Sequence, residues 1–158
     1  MSTELNINLS LYDFVDFGCS KGGSIDFAVK KLGGSRGVGL DVDPRKVEAT
    51  RQAGYEAHIA DVSELDPEKL GTTRFVVMAH FLEHLPTLDA ASRCIRSAVR
   101  VADEFVFIRQ PYFDADEYLA SLGLRLYWSH WRGHKNHMKA ADFHDILGDL
   151  LARRKIRR

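Results

Sequence analysis

The sequence is short of several features, and each shortage removes a class of protein. It holds two cysteines, Cys19 and Cys94, too few for a disulfide-stapled secreted scaffold. No stretch approaches the roughly 18 apolar residues of a membrane-spanning helix. The opening MSTELNINLS has neither the basic head nor the apolar run of a signal peptide. A cytoplasmic protein with no membrane span is therefore expected.

Net charge is also lacking, because 22 Lys and Arg balance 22 Asp and Glu. The overall field therefore favours neither nucleic acid nor a membrane surface. The balance is uneven along the chain, since residues 132–158 carry eight Lys and Arg against three Asp. This basic end leaves an anionic polymer such as RNA as an alternative partner, although not the favoured one. The length of 158 residues predicts one domain over 1–158.

What the sequence does contain is a regular alternation of apolar runs and helical patterns. Strands are predicted at YDFVDF, GVGLDV, YEAHIAD, RFVVMAH and EFVFIRQ, with a helix or a turn between each pair. This alternation predicts an α/β fold with a doubly wound, mostly parallel sheet and helices on both faces. After a last amphipathic helix near residues 140–152 only RRKIRR remains. An open sheet edge is expected there, and a homodimer that covers this edge is an expectation.

The stretch DFGCSKGG, residues 16–23, places small residues directly after the first strand. A phosphate-binding loop would need Lys where Ser24 stands. The dinucleotide fingerprint would need glycine at 18, 20 and 23, and Ser20 occupies the middle position, which makes it a weak match. A turn of small residues lets backbone approach a ligand that lacks phosphate. Asp41, at the end of the second strand, is placed to accept both hydroxyls of a ribose.

Four stretches in order resemble the motifs of class I S-adenosylmethionine-dependent methyltransferases. They are DFGCSKG, GVGLDVDP, AHIADVSEL and VVMAHFLEHLPT, and the last is similar to the H-x-L-E-H-L stretch of the small-molecule branch. The resemblance covers about residues 12–113 and implies S-adenosyl-L-methionine as the cofactor. It implies that Asp61 binds the adenine amino group, with Val62 as its backbone partner. The cofactor-binding set that follows is Asp16, Gly18, Ser20, Gly22, Asp41, Val42, Asp61, Val62 and His80.

The same resemblance implies a C-terminal β-hairpin, which this chain is expected to lack in complete form. It also places His80 and Phe81 near the methionine and adenine of the cofactor and puts Glu83 and His84 at the acceptor pocket. A histidine with an ordinary pKa near 6.5 is suited to take a proton from an acceptor hydroxyl or amine. Methyl transfer from a sulfonium is an in-line displacement, so the protein mainly positions the acceptor and excludes water. The predicted catalytic residues are His84, His80 and Glu83, and whether Glu83 and His84 only fix the loop stays open.

Two histidine patterns raise the question of a metal. HFLEH, residues 80–84, also spells the His-x-x-Glu-His pattern of one zinc protease class, which needs both histidines on one face of a helix. His80 is predicted at the end of a strand and Pro86 would end any helix soon after. His130, His134 and His137 cluster near two tryptophans but have no Cys or carboxylate at ligand spacing. No metal is expected, and the aromatic, cationic segment is interpreted as a lid over the acceptor pocket.

These patterns together predict an enzyme that transfers a methyl group from S-adenosylmethionine to an oxygen or nitrogen acceptor. The expected acceptor is a small molecule, a sugar or a lipid precursor. Two alternatives stay open at this point. One is a methyltransferase that acts on RNA or another anionic polymer, and the other is a non-catalytic module that binds S-adenosylmethionine.

Overall fold

The computed structural model describes residues 5–153 and 156 and is built on one parallel sheet. Its strands are β1 (Phe14–Phe17), β2 (Gly37–Asp41), β3 (Glu56–Ile59), β4 (Thr73–Ala79) and β5 (Ala102–Arg109). They lie in the order β3-β2-β1-β4-β5, and every neighbouring pair is parallel. The predicted doubly wound α/β fold is confirmed.

Six helices alternate with or follow these strands. They are α1 (Gly23–Lys31), α2 (Pro44–Gln52), α3 (Pro67–Leu70), α4 (Leu88–Val101), α5 (Asp116–Ser121) and α6 (Ala140–Ala152). Side-chain caps explain where two of these helices begin. Asp43 accepts a hydrogen bond from the Arg45 amide ahead of Pro44 at the start of α2, and Thr87 accepts one from the Ala90 amide at the start of α4.

The side chains of the strands alternate between the two faces of the sheet, and each face carries its own buried cluster. One cluster contains Val15 and Phe17 with apolar residues of α4 and α6. The other contains Phe14 with Ile25 of α1 and Val47 of α2. Because the period of a strand is two, Asp16 shares its face with Phe14 and points toward α1. A buried carboxylate is thereby placed under the first strand-to-helix turn.

Some segments differ from the sequence-based expectation. LRLYWSHW, predicted as a strand or an irregular aromatic segment, contains a 3-10 helix at Tyr127–His130, and α3 was not predicted. No strand follows β5 among residues 110–153 and 156. The final RRKIRR falls mainly on residues 154, 155, 157 and 158, which lie outside the described residues. Among the helices described, none combines the length and apolarity needed to cross a membrane.

The topology determines where a ligand can approach. Strand order reverses between β1, which continues outward through β2 and β3, and β4, which continues through β5. In an open parallel sheet the crevice at such a reversal, beyond the carboxyl ends of the strands, is the usual binding place. The segments that follow β1, β2 and β4 all open onto it.

Candidate cofactor and acceptor site

The turn after β1 combines small residues with a left-handed backbone. Gly18, Ser20 and Gly22 have φ angles of 77°, 50° and 83°, in the left-handed region that favours glycine. The Gly18 amide donates to the Leu40 carbonyl at 2.8 Å, which ties the turn to the end of β2. A Cβ atom on Gly18 would lie 2.3 Å from a ring carbon of Phe81. The turn is therefore packed between the end of β2 and the loop after β4.

This packing makes Gly18 sensitive to the smallest substitution. Gly18→Ala is expected to lower the free energy of unfolding by at least about 1–2 kcal/mol, because a left-handed alanine is strained and its methyl group overlaps the Phe81 ring. Urea unfolding measures the change. Gly148→Ala is the matched control, since a Cβ there meets no atom within 4 Å and the position is inside α6. That control is expected to be neutral or slightly stabilising, and an equal loss in both variants would contradict the assignment.

Asp41 is held at the end of β2 by the backbone around it. It is buried, and its carboxylate accepts a hydrogen bond from the Asp43 amide at 3.0 Å and a longer one from the Ser20 amide at 3.4 Å. The Lys46 ammonium lies 3.8 Å from the same carboxylate. A carboxylate has about four acceptor positions, so these contacts leave room for the hydroxyls of a ribose. The structure therefore brings Ser20 and Asp41 together as predicted.

Asp16 lies fully buried beneath the same turn. One carboxylate oxygen accepts a hydrogen bond from the Ser24 hydroxyl, and the other has no partner. Burial raises the pKa of Asp16 to about 7; the nearby Asp41 carboxylate adds to this rise, and the Ser24 hydroxyl opposes it. An unpartnered buried oxygen under a small-residue turn fits a cofactor with a positively charged end.

The third predicted strand end joins the site through backbone. The Ala60 amide donates to the Asp41 carbonyl at 3.1 Å, which places Asp61 one residue beyond that contact. The Asp61 carboxylate accepts from the Ser63 amide at 2.9 Å and begins a 3-10 helix, Val62–Glu64, in which Val62 is buried. Val42, beside Asp41, is 65% exposed. An exposed apolar side chain beside the carboxylate predicted to bind ribose fits a surface for a flat base. The adenine roles of Asp61 and Val62 stay predictions.

The loop after β4 has a strained start and a buried acid. His80 has a φ of 54°, in the left-handed region that favours glycine. Within the described residues, His80 and Ser20 are the non-glycine residues with a positive φ. Such strain is common at binding and catalytic sites. His80 Nδ1 lies 3.2 Å from Oε1 of Glu83, whose side chain is fully buried. Leu82–His84 is a 3-10 helix, so His80 and His84 do not share the face of an α-helix as the zinc protease pattern requires.

Residues 128–138 are held against this loop by their backbone. The amides of Lys135 and Asn136 donate to the Glu83 carbonyl at 2.8 and 3.1 Å. His84 donates from Nδ1 to the Gly133 carbonyl at 2.9 Å, and its ring centroid lies 5.1 Å from that of His134. The segment interpreted from sequence as a lid thus contacts the residues predicted to face the acceptor.

Two residues of the site were not identified from sequence. Ser24 partners Asp16, and Lys46 lies near Asp41. The available signal was their position, since each lies within the first turn of a helix that follows a predicted binding turn. Phe81, which the resemblance places near the cofactor, packs on Gly18. Burial raises the pKa of Cys19 and of Cys94 to about 11, which disfavours the nucleophilic thiolate form of both side chains.

Comparison with known proteins agrees with this geometry. Residues 5–150 match the family described as methyltransferase domain, and the chain belongs to that family. The predicted class, a class I methyltransferase domain with S-adenosylmethionine as its cofactor, is thereby confirmed. The particular small-molecule branch suggested by the H-x-L-E-H-L stretch is a finer assignment and stays a prediction.

Individual relatives are more distant. A ribosomal protein L11 methyltransferase from Ralstonia pickettii is 30% identical over 115 residues, which are 72% of this chain and 38% of that protein. The chain therefore spans about two fifths of the length of this curated relative.

Among solved structures, the plantazolicin methyltransferase BpumL in complex with SAH superposes with a TM-score of 0.65 at 11% identity, over 89% of this chain and 56% of that one. The sugar N-methyltransferase KedS8 from Streptoalloteichus superposes with a TM-score of 0.53 at 17% identity, over 65% and 42%. At these identities both likenesses concern the fold.

Proposed function

We propose that this chain transfers the methyl group of S-adenosylmethionine to an oxygen or nitrogen of a small molecule, a sugar or a lipid precursor. One observation carries the proposal: at the carboxyl ends of the strands, the strained turn after β1 contacts both the Asp41 carboxylate and Phe81 of the histidine-containing loop after β4. A small acceptor is supported by residues 128–138, whose backbone amides fasten them over the loop that holds Glu83 and His84. Residues 128–138 therefore limit the size of an acceptor that can reach this loop.

Different residues of the site bind different parts of the cofactor. Asp41 holds the ribose, the small-residue turn with Asp16 beneath it receives the methionine end, and Asp61 with Val62 receives the adenine. The cofactor supplies the activated methyl group. The protein orients the acceptor and excludes water, which is the main requirement of an in-line displacement. Phe81 contributes by closing the turn from the β4 side.

His80 is the better placed of the two candidate bases. Its side chain is half exposed, and its Nδ1 faces Oε1 of the buried Glu83, which orients the ring. A carboxylate accepts a hydrogen bond from Nδ1–H, so Nε2 keeps the lone pair that takes a proton. His84, predicted as the first catalytic residue, also uses its Nδ1, but its partner is the neutral Gly133 carbonyl, which stabilises an imidazolium less than a carboxylate does. We assign proton removal to His80 and orientation of His80 to Glu83.

His80→Ala is therefore expected to lower kcat by about a hundredfold or more, the usual contribution of a general base. Binding of S-adenosylmethionine should change much less than kcat, because Asp16, Asp41 and the turn after β1 are assigned most of the cofactor contacts, although His80 also belongs to the predicted cofactor-binding set. Initial rates with the best acceptor and calorimetry with the cofactor measure the two effects. His144→Ala, which alters an exposed histidine on α6, is the control. Equal rates in the two variants would contradict the assignment of His80.

A protein acceptor is the second candidate, favoured by the 30% identity with a ribosomal protein L11 methyltransferase. The proposal is tested by release of S-adenosylhomocysteine against a panel of small alcohols and amines, aminosugars, RNA and ribosomal protein L11. Turnover with small acceptors supports the first candidate, and turnover with L11 alone supports the second. Salt-dependent turnover with RNA alone would point to the basic end. Cofactor binding with no turnover across the panel would indicate a non-catalytic module and overturn the proposal.

A further inference from the structure

Three side chains from two distant parts of the chain converge beside the proposed acceptor loop. Glu83, His84 and His134 each offer one ligand atom, and these atoms lie within 4.8 Å of one another. Glu83 and His84 come from the 3-10 helix after β4, and His134 comes from the segment that covers it. We propose that these three residues bind one divalent transition-metal ion.

The buried carboxylate provides the first independent support. Glu83 is fully buried, its Oε1 faces His80, and its Oε2 has no hydrogen-bond partner. A buried charged oxygen without a partner is costly, and buried charges in proteins are normally paired or bound to a metal. A cation on Oε2 satisfies this oxygen and leaves the contact between Oε1 and His80 in place.

The two imidazoles provide the second support, because both are fixed in the same tautomer. His84 Nδ1 lies 2.9 Å from the Gly133 carbonyl, and His134 Nδ1 lies 2.8 Å from the Trp128 carbonyl. A carbonyl oxygen only accepts, so each Nδ1 carries the proton and each Nε2 keeps a free lone pair. Hydrogen bonding of the second ring nitrogen to a backbone carbonyl is the usual support of a metal-binding histidine.

Backbone contacts hold the two segments together before any ion binds. The amides of Lys135 and Asn136 donate to the Glu83 carbonyl, and the Asn136 side chain donates to the Leu82 carbonyl at 3.3 Å. Trp131 packs against both imidazoles, with ring centroids 5.5 Å from His84 and 4.7 Å from His134. The ligands are therefore positioned by the fold, which lowers the ordering cost of binding.

The donor set indicates the class of ion. Two imidazoles with one carboxylate suit Zn²⁺, Co²⁺ or Fe²⁺ better than Mg²⁺ or Ca²⁺, which prefer oxygen ligands throughout. Three protein ligands leave a coordination position for water or for an oxygen of the acceptor. This last role rests on the proposed function. His84 is then a ligand and not a base, in keeping with His80 as the proton acceptor. The proposed site is an alternative to the expectation of no metal.

The test is titration of the chelator-treated full chain with Co²⁺, followed by its visible absorption and by competition with Zn²⁺. One ion per chain is expected. His134→Ala is expected to weaken binding by about a hundredfold or more, since even loss of a supporting contact costs 10–100-fold. His130→Ala is the matched control, because this exposed histidine of the same segment lies outside the cluster, and it should bind as the wild type does.

Further variants and readouts separate the possible failures. Glu83→Gln keeps the volume of the buried side chain and is expected to lose binding as well, with circular dichroism recording the fold of each variant. Wild-type chain that takes up neither ion at micromolar concentration overturns the inference without any variant. So does equal Co²⁺ affinity in the His134 and His130 variants. Calorimetry with S-adenosylmethionine is run on the same samples, so a chain that binds cofactor but no metal refutes the metal site alone.

Discussion

Asp41→Ala is expected to abolish measurable binding of S-adenosylmethionine while the chain stays folded. The carboxylate is assigned to both ribose hydroxyls, and hydrogen bonds to a charged group are worth about 1.5–3 kcal/mol each. Losing two of them corresponds to about a hundredfold to ten-thousandfold weaker binding. The Ser20 amide also loses its contact with this carboxylate, which loosens the turn that receives the methionine end. Isothermal titration calorimetry measures the affinity, and circular dichroism records the fold.

Two variants make this result specific. Asp41→Asn keeps the shape and one acceptor oxygen, so its loss of affinity should be smaller than that of the alanine variant. Asp145→Ala removes an aspartate that is 88% exposed on α6 and should leave the affinity unchanged. NAD is titrated in parallel, because a carboxylate at the end of the second strand also suits a dinucleotide ribose. Wild-type chain that binds NAD but not S-adenosylmethionine would refute the cofactor assignment.

The parallel sheet and the meeting of its strand ends at one edge were predictable from sequence. Apolar runs alternating with helical patterns specify parallel strands, and the carboxyl ends of such strands lie at one end of the sheet. Gly18 and Asp41 were therefore expected near each other, and the amide of Gly18 does reach the Leu40 carbonyl. The order of the strands was not predicted, because the pattern of each strand does not specify its neighbour.

The acceptor end was less predictable, because it depends on contacts between irregular segments far apart in sequence. The sequence around His130, His134 and His137 has no carboxylate at the spacing of a metal ligand. The structure supplies it from Glu83, which lies 51 positions before His134 and is brought to it by two backbone hydrogen bonds. The hydrophobic periodicity of the sequence does not indicate such a contact. The tautomers of His84 and His134 depend on two backbone carbonyls whose positions are determined by the fold.

The free energy of unfolding is expected to fall as the pH rises from about 4 to about 7, and Asp16→Asn should remove this part of the dependence. In the folded chain the pKa of Asp16 is about 7, against 3.8 for an ordinary aspartate. Between these values the folded state holds a proton that the unfolded state has lost, so raising the pH favours unfolding. At about 1.4 kcal/mol for each pKa unit, the full effect is at most about 4 kcal/mol.

The measurement is the difference in unfolding free energy between wild type and Asp16→Asn, from urea titrations at several pH values without cofactor. Asparagine keeps the size of the neutral carboxyl group and the contact with Ser24, so the two proteins should be similar near pH 4. The variant should become progressively more stable than the wild type toward pH 8. Asp145→Asn is the control for an exposed carboxylate and should show no such trend.

A difference between wild type and Asp16→Asn that stays constant over this range would mean that Asp16 is ionised throughout. It would then need a cationic or hydrogen-bonded partner for the oxygen that has none in this structure. The turn would then contain a negative charge before the positive end of the cofactor binds. With the expected trend, the folded turn instead contains a neutral acid near pH 6. Binding of a cationic group then favours the ionised carboxylate, so Asp16 releases its proton to solvent. The affinity for S-adenosylmethionine should therefore increase as the pH rises from about 4 to about 7.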